Sequence, residues 1–208
     1  MCIRDSTVGG RVRLSSVTDY HPTPLEVMEN PWIQWRVVAP REVNGPAHAG
    51  AHALGAKTIA SLGLEHGMTH MEWFRGQDGS LAIGEIAARP PGANIVRLTG
   101  LCHGTSMYRA YARALVDDAF DGPFERRFAS GCAFLRGSGQ GRVLAVDGVG
   151  KVRDQLGPMM VEAKLPRLGA PKSDSYEGDG HILVKHERTA VVEEALKTIV
   201  GTIRVYYG

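Results

Sequence analysis

Apolar and polar residues alternate near the start of the chain, and this pattern predicts β-strands. Residues 7–18 predict one strand, with the clearest alternation over residues 10–17. Residues 19–31 are rich in proline and turn-forming residues and predict a loop. Residues 32–39 are apolar and partly β-branched, so they predict a second strand. Pro40 ends this strand because proline cannot donate a hydrogen bond to a sheet.

The middle of the chain changes to a helical pattern and then returns to strands. Residues 46–62 are rich in alanine and carry apolar residues near helical spacing, and Gly63 follows them as a typical helix stop. Residues 68–74 and 81–88 then predict two strands around Asp78-Gly79. An Asp-Gly pair between two apolar segments is a strong signal for a β-hairpin.

The pattern changes again at residues 118–127, a polar segment that follows a predicted helix over residues 105–120. This segment is the expected domain boundary. The rest of the chain predicts short strands over 130–135, 143–146, 159–163 and 181–185, then a helix with an apolar stripe. Residues 137–142 are glycine-rich but lack the Gly-Lys-Ser/Thr ending of a phosphate loop, so they predict a hairpin turn. We therefore expect an α+β protein: a mainly antiparallel sheet with flanking helices over 7–120, followed by a small α+β domain over 129–208.

The predicted hairpin brings charged residues together on one face. If Asp78-Gly79 forms a two-residue turn, Glu72 lies opposite Glu85, and Phe74 lies opposite Ile83. The face with both glutamates then carries the following residues: His70, Glu72, Phe74, Ile83, Glu85, Ala87 and Arg89. Met71 and Trp73 lie on the other face, which is the expected core side.

Two carboxylates directly opposite each other repel, and a bound divalent cation is one reason to keep them. Magnesium prefers one or two carboxylates together with phosphate oxygens and water. On the same face, Arg89 is placed to contact a phosphoryl group, and Phe74 with Ile83 is placed to form an apolar slot for a base ring. The alternative is a solvated outer face, with Arg89 pairing one glutamate.

The residues of this hairpin also resemble a known family. Gly67-Met68-Thr69-His70-Met71-Glu72-Trp73-Phe74 and Gly84-Glu85-Ile86-Ala87-Ala88-Arg89-Pro90-Pro91-Gly92 are similar to the ATP-grasp superfamily, most of all to its amino-acid ligase branch. The resemblance implies an ATP-grasp C-terminal subdomain and an ATP-dependent ligase that joins a carboxylate to an amine or thiol through an acyl phosphate.

The same resemblance implies roles for individual residues. Glu72 and Glu85 would bind Mg²⁺ (or Mn²⁺), Arg89 would stabilise the transferred phosphoryl group, Phe74 would line the adenine pocket, and His70 would lie near the reacting phosphate. Ala87 departs from the pattern, since the family usually has a metal-binding asparagine there. This departure supports an alternative, a degenerate module that binds a nucleotide or a partner without catalysis.

Composition excludes several other classes of protein. The chain has 208 residues, with 24 Lys and Arg against 22 Asp and Glu, which gives no electrostatic case for nucleic acid or anionic membranes. It has no apolar run of roughly 20 residues, and residues 1–10 lack a signal-peptide core. The three cysteines show no CxxC spacing and fit the reducing cytoplasm. We therefore expect a cytoplasmic protein with small-molecule substrates; the oligomeric state stays open.

Two further expectations concern the chain itself and its histidines. Residues 1–6 resemble a translated adapter remnant, so we expect them to be non-native and the chain to be an N-terminally truncated fragment that binds ATP poorly and does not turn over. His48 with His52, or His66 with His70 and Glu72, would be needed for a zinc-type site. This simple metal-binding alternative is the weakest.

Overall fold

The computed structural model describes residues 2–208, with side chains from Asp5 onward. Met1, one of the six residues expected to be non-native, lies outside the described residues. The strands are β1 (Cys2–Val8), β2 (Arg11–His21), β3 (Trp35–Ala39), β4 (Gly67–Arg75), β5 (Leu81–Ala87), β6 (Ala129–Leu135), β7 (Val143–Asp147), β8 (Met160–Lys164), β9 (Gly180–His186) and β10 (Arg204–Tyr207). The helices are α1 (Pro24–Glu29), α2 (Pro46–Ser61), α3 (Ile95–His103), α4 (Met107–Val116), α5 (Val149–Leu156) and α6 (Thr189–Thr202).

The chain forms two compact units, and the predicted α+β class is confirmed. The first unit contains residues 2–19 and 39–127, and the second contains residues 20–38 and 128–208. No helix among the described residues combines the length and apolar character needed to cross a membrane.

The first unit is built on an antiparallel sheet with the strand order β5-β4-β1-β2. The prediction of one strand over residues 7–18 is wrong, because the chain turns at Gly9-Gly10 and β1 pairs with both β2 and β4. Both glycines have positive φ angles, which residues with a Cβ rarely adopt. Helix α2 packs on β1 and β5, and helix α4 packs on β1 and β4.

The core of the first unit lies against the buried face of β4. Trp73 is 1% exposed and packs with Val17, Val43 and Ala51. A second cluster joins Met68 to buried residues of α3 and α4. Strand β4 therefore buries Met71 and Trp73 and leaves His70, Glu72 and Phe74 nearer the surface, as the alternating pattern predicts, whereas Met68 near its start is buried by packing with α3 and α4.

The second unit contains the strand order β3-β6-β9-β8 and a separate ladder of β7 with β10. Strand β6 is buried along its whole length, and α6 packs against β6 and β9 through its apolar stripe. The indole of Trp35 stacks on Phe134, with 4.1 Å between ring centroids. The prediction of a hairpin at residues 137–142 is wrong, because β6 pairs with β9 whereas β7 pairs with β10.

Candidate functional site

The β4–β5 hairpin is confirmed, but its turn differs from the predicted one. Residues 76–80 form the loop, so it has five residues rather than two. The Gly76 N–H donates to the Ser80 carbonyl at 2.8 Å, and the Ser80 N–H donates to Asp78 Oδ1 at 2.9 Å. Hydrogen bonding from the Ser80 side chain, and then from the Ser80 backbone N–H, lowers the pKa of the Asp78 carboxyl. Asp78 therefore organises the loop as an acceptor for the backbone.

A β-bulge beside Gly84 compensates for the odd loop. Near the turn, Trp73 is paired with Ile83, whereas beyond the bulge Glu72 is paired with Glu85. An odd loop alone would shift the register by one residue, and the extra residue in β5 shifts it back. The predicted opposition of Glu72 and Glu85 is therefore confirmed, although it results from two offsets that cancel rather than from a tight turn.

The same bulge overturns the predicted slot between Phe74 and Ile83. Phe74 is paired with Ala82, and Ile83 shares the face of Trp73, where it packs against the buried cluster. The ring of Phe74 is 61% exposed and lies over Gly84, so that a Cβ at position 84 would overlap it. Ile83 is thus part of the core packing, and Phe74 alone presents an aromatic ring beside the two glutamates.

The two glutamates lie on an accessible surface with a histidine beside them. The Glu72 side chain is 41% exposed, and Glu85 is exposed. His70 Nε2 lies 3.8 Å from Glu72 Oε1, and its side chain is only 12% exposed. Because directly opposed residues have Cα atoms about 4.5–5.5 Å apart, both carboxylates can reach one cation.

Arg89 follows β5 and does not neutralise this pair. Its Nη1 donates to the Pro90 carbonyl at 3.2 Å, and within the described part of the chain it forms no ion pair with Glu72 or Glu85. The alternative predicted a solvated face on which Arg89 pairs with one glutamate. The face is accessible to solvent, but the described side chains do not form this ion pair. The guanidinium remains exposed beside the face that carries the glutamates.

The donor set fits a magnesium-type site better than a zinc-type site. Among the described residues, no three His, Cys, Asp or Glu side chains form a group that could hold a metal ion. Two carboxylates without a third protein ligand suit Mg²⁺, which takes its other ligands from phosphates and water. Ala87 is paired with His70 and offers no side-chain oxygen to complete the set.

Two histidines of the zinc alternative, His52 and His66, have other partners. His52 Nδ1 lies 2.6 Å from Ser15 Oγ, and His52 Nε2 lies 2.9 Å from the Val43 carbonyl. His66 Nδ1 lies 3.2 Å from Asp118 Oδ1. Both ring nitrogens of His52 are therefore used in packing the first unit, and His66 pairs with an acidic residue outside the hairpin.

The segment after Arg89 contains strained backbone that the sequence pattern does not predict. Ala93 and Asn94 have φ angles of 52° and 57°, and Asn94 is the N-cap of α3. Asparagine tolerates this left-handed conformation, but for alanine it is unfavourable. Strain of this kind concentrates at functional sites. The run Pro90-Pro91-Gly92 signals a turn, but it gives no sign that Ala93 is the strained residue.

Sequence reasoning also missed a buried polar cluster in the first unit. Arg126 donates to Ser16 Oγ at 3.0 Å and to the Pro40 carbonyl at 2.8 Å, and it lies 3.5 Å from His103 Nε2. His103 is 6% exposed, and burial, assisted by the charge of Arg126, lowers the pKa of its imidazole. This cluster joins β2, α3 and the segment after β3, and it does not reach the glutamate pair.

Comparison with known proteins identifies structures with a similar fold. No protein-family model and no curated protein matches the chain. Among solved structures, L-amino acid ligase from Bacillus licheniformis matches all of the chain with a TM-score of 0.77 and 17% identity. Phosphoribosylglycinamide synthetase from Anaerococcus prevotii matches all of it with a TM-score of 0.75 and 14% identity.

A third similar structure contains a bound nucleotide. The biotin carboxylase domain of the Hydrogenobacter thermophilus 2-oxoglutarate carboxylase, in complex with MgADP, ADP and bicarbonate, matches 99% of the chain with a TM-score of 0.67 and 13% identity. The chain covers 51%, 53% and 46% of these three structures, so it spans about half of their length. The chain therefore has the fold of the ATP-grasp ligases, as the motif of its hairpin predicts.

Proposed function

We propose that this chain is the metal-binding part of an ATP-dependent ligase that joins a carboxylate to an amine or a thiol. The observation that carries the proposal is the opposition of Glu72 and Glu85 across β4 and β5. The bulge at Gly84 maintains this opposition despite an odd loop. A similar fold binds MgADP, which supports ATP and Mg²⁺ (or Mn²⁺) as the cofactors.

Charge repulsion between the two glutamates favours binding of a cation, which can also bind phosphates. Two unit charges about 4 Å apart repel by about 1 kcal/mol in water, and more where solvent is excluded. Magnesium held between them would neutralise the charge that develops on the phosphates. Both side chains are accessible, which leaves room for phosphate oxygens and water as further metal ligands. Because Ala87 supplies no oxygen, these ligands would also fill the position that an asparagine would occupy.

The reaction proposed is transfer of a phosphoryl group followed by acyl transfer. A carboxylate oxygen attacks the γ-phosphorus of ATP, the bond to the β-phosphate oxygen breaks, and ADP leaves. The amine or thiol then attacks the carbonyl carbon of the acyl phosphate, loses its proton, and releases inorganic phosphate. Arg89 stabilises charge on the transferring group through its planar donors, and His70 orients Glu72 near that group. Phe74 stacks on the adenine ring.

A second candidate is a degenerate, non-catalytic module that binds a nucleotide or a partner. Two observations favour it: Ala87 supplies no metal-binding oxygen, and Arg89 donates to the Pro90 carbonyl rather than towards the glutamates. The two candidates differ in turnover and agree in metal binding. The carboxylate and the nucleophile would be recognised by contacts beyond this chain, which covers only half of the similar ligases.

The experiment that tests the proposal measures Mn²⁺ binding by electron paramagnetic resonance, with and without ADP. We expect weak binding of Mn²⁺ that ADP strengthens, and at least about tenfold loss in Glu85→Gln. Glu65→Gln removes an exposed carboxylate of the same unit outside the hairpin, so it serves as the matched control. Equal Mn²⁺ affinity in both variants would refute the metal assignment.

Turnover separates the enzyme from the degenerate module. In the complete protein, we expect ATP-dependent phosphate release that falls sharply in Glu85→Gln and in Arg89→Lys, since lysine lacks the planar donor fork. Metal binding without phosphate release from the complete protein would favour the degenerate module. Full phosphate release in Glu85→Gln would contradict the proposed role of this carboxylate.

A further inference from the structure

The second unit contains a cavity that has no part in the proposed ligase chemistry. Its volume is about 350 Å³, which lies in the range of small-molecule sites. Two arginines and two aromatic residues line it: Arg136, Arg204, Trp32 and Tyr206. No acidic side chain is among the described residues of its wall. The cavity therefore combines positive charge with aromatic surface.

Arg136 is the unusual residue of this cavity. It is only 6% exposed, and its Nη1 donates to the Val27 carbonyl at 3.0 Å. Among the described residues, no carboxylate forms an ion pair with it. Burial lowers the pKa of the Arg136 guanidinium, yet arginine keeps its charge in proteins. Among the described residues this cation thus has no ion-pair partner, which is costly, although Tyr207, whose hydroxyl donates to Asp179, favours its charged form.

Arg136 has donors left for a ligand, and it lines the cavity. A guanidinium has five N–H groups, and the Val27 carbonyl accepts from only one nitrogen. The other nitrogens are not among the described side-chain atoms that are both inaccessible to solvent and without a hydrogen-bond partner, as expected if a residue of the cavity wall keeps donors open to a ligand. If the role of Arg136 were only to hold Val27, a single neutral donor would do so without the cost of burying a charge.

The rest of the wall is held in place by the fold. Arg204 donates to the carbonyls of Val200, Gly201 and Ile203 at the end of α6, so its charge is fixed at the cavity. Gly137 packs so tightly on the Val205 carbonyl that no Cβ fits there. This contact fixes the backbone beside Ser138, which also lines the cavity.

The aromatic residues supply an exposed apolar surface. Trp32 is 53% exposed and Tyr206 is 48% exposed, and both line the same cavity as the buried Arg136. Large exposed aromatic rings at a concave site are typical of ligand contacts. Together with the guanidinium fork, they match a molecule that has an anionic group at one end and an apolar body at the other.

We propose that this cavity binds a small organic anion whose carboxylate or phosphate pairs with Arg136 and whose apolar body lies against Trp32 and Tyr206. The guanidinium offers two parallel donors, a geometry that both anions accept. The shared chemistry is a planar or tetrahedral oxyanion beside an aromatic or aliphatic group. The site is lined by residues of the second unit and shares none of them with the glutamate pair.

The test uses the full 208-residue chain labelled with ¹⁵N and follows the indole N–H resonances of its tryptophans. Trp32→Phe assigns the resonance of Trp32. Benzoate and phenyl phosphate distinguish the two anions, inorganic phosphate tests the anion without a body, and benzamide tests the body without a charge. We expect saturable shifts of Trp32 with a dissociation constant of about 1 mM or below for at least one aromatic anion. Benzamide is expected to bind at least about tenfold more weakly.

Variants decide whether Arg136 carries the binding. Arg136→Lys keeps the charge and a donor for Val27 but loses the fork, and we expect at least about tenfold weaker binding. Arg153→Gln removes an exposed arginine of the same unit and should leave binding unchanged. Trp32→Ala changes an exposed side chain and should weaken the binding of the aromatic anions without unfolding the unit, even if Arg136→Lys does not fold. Because this variant lacks the reporter indole, its affinity is measured by isothermal titration calorimetry beside the original chain. The proposal is overturned by unsaturable shifts, by equal binding of benzamide, or by unchanged affinity in both Arg136→Lys and Trp32→Ala.

Discussion

Without a cation, the repulsion between Glu72 and Glu85 should lower the free energy of unfolding of the first unit. Removing one of the two charges therefore tests the proposed metal site. Glu85→Gln keeps the shape and the hydrogen-bonding capacity of the side chain but removes one of two opposed charges. Like charges directly opposite on neighbouring strands destabilise a sheet. We therefore expect Glu85→Gln to raise the free energy of unfolding of the first unit in the presence of a chelator, although most substitutions lower stability.

The magnitude follows from the geometry and the exposure of the two side chains. Carboxylates about 4–5 Å apart repel by about 1 kcal/mol in water, so the gain in free energy of unfolding should be about 0.5–1 kcal/mol at low salt. Glu72 is 41% exposed, and added salt should screen most of this gain. With Mn²⁺ at ten times its dissociation constant, the original chain should instead gain about 1.4 kcal/mol, and the variant should gain little.

The assay must report on the first unit alone. Trp73 is buried beside the hairpin, whereas Trp32 and Trp35 belong to the second unit. Urea unfolding of chains labelled with 5-fluorotryptophan, followed by the ¹⁹F resonance of Trp73, therefore isolates the relevant transition. Glu65→Gln is again the matched control. Reduced stability of Glu85→Gln in chelator, or equal stabilisation of both chains by Mn²⁺, would refute the reasoning.

Three further predictions concern burial and local packing. Because burial lowers the pKa of His103, the unfolded chain binds more protons, so stability should fall as pH drops below about 6.5; His103→Gln should flatten this slope in pH-dependent urea unfolding. Gly84→Ala should displace the exposed Phe74 ring, with a cost below about 1 kcal/mol and a shift of its NMR resonances, and an unmoved ring would contradict the packing. Trp35→Ala should cost about 3–5 kcal/mol by thermal unfolding, whereas Trp32→Ala should cost far less; equal costs would disprove the burial of Trp35.

The alternation of apolar and polar residues and the composition of the turn were sufficient to predict the β4–β5 hairpin, which carries the two glutamates. Period-two alternation assigned Met71 and Trp73 to the core, and Asp78-Gly79 marked the turn. The side of Ile83 was not predictable in this way, because it depends on the odd length of the loop and on the bulge beside Gly84. A one-residue offset moves every later side chain to the other face. Pattern therefore predicts the pair of glutamates but not the apolar residue beside them.

The remaining features depend on contacts between distant segments. The cavity with Arg136 is formed by residues near positions 32, 136 and 204, and no local pattern connects them. Strand β1 was not predicted as a separate strand, because the alternating pattern continues through the turn at Gly9-Gly10. The buried cluster of Arg126 and His103 likewise joins residues that are more than twenty positions apart. Such sites require tertiary structure, since each residue alone has an ordinary surface or core explanation.

The bulge at Gly84 has a consequence for how this hairpin can vary during evolution. It acts as a phase shift within β5: Leu81 and Ile83 pack inward on the turn side, while Glu85 faces outward beyond it. An insertion or deletion of one loop residue would reverse the inward and outward positions unless the bulge were gained or lost with it. Loop length and the residue at position 84 should therefore covary among related sequences, and homologues with an even loop should lack the bulge. The tip of the hairpin is then free to change length while the carboxylate pair keeps its alignment.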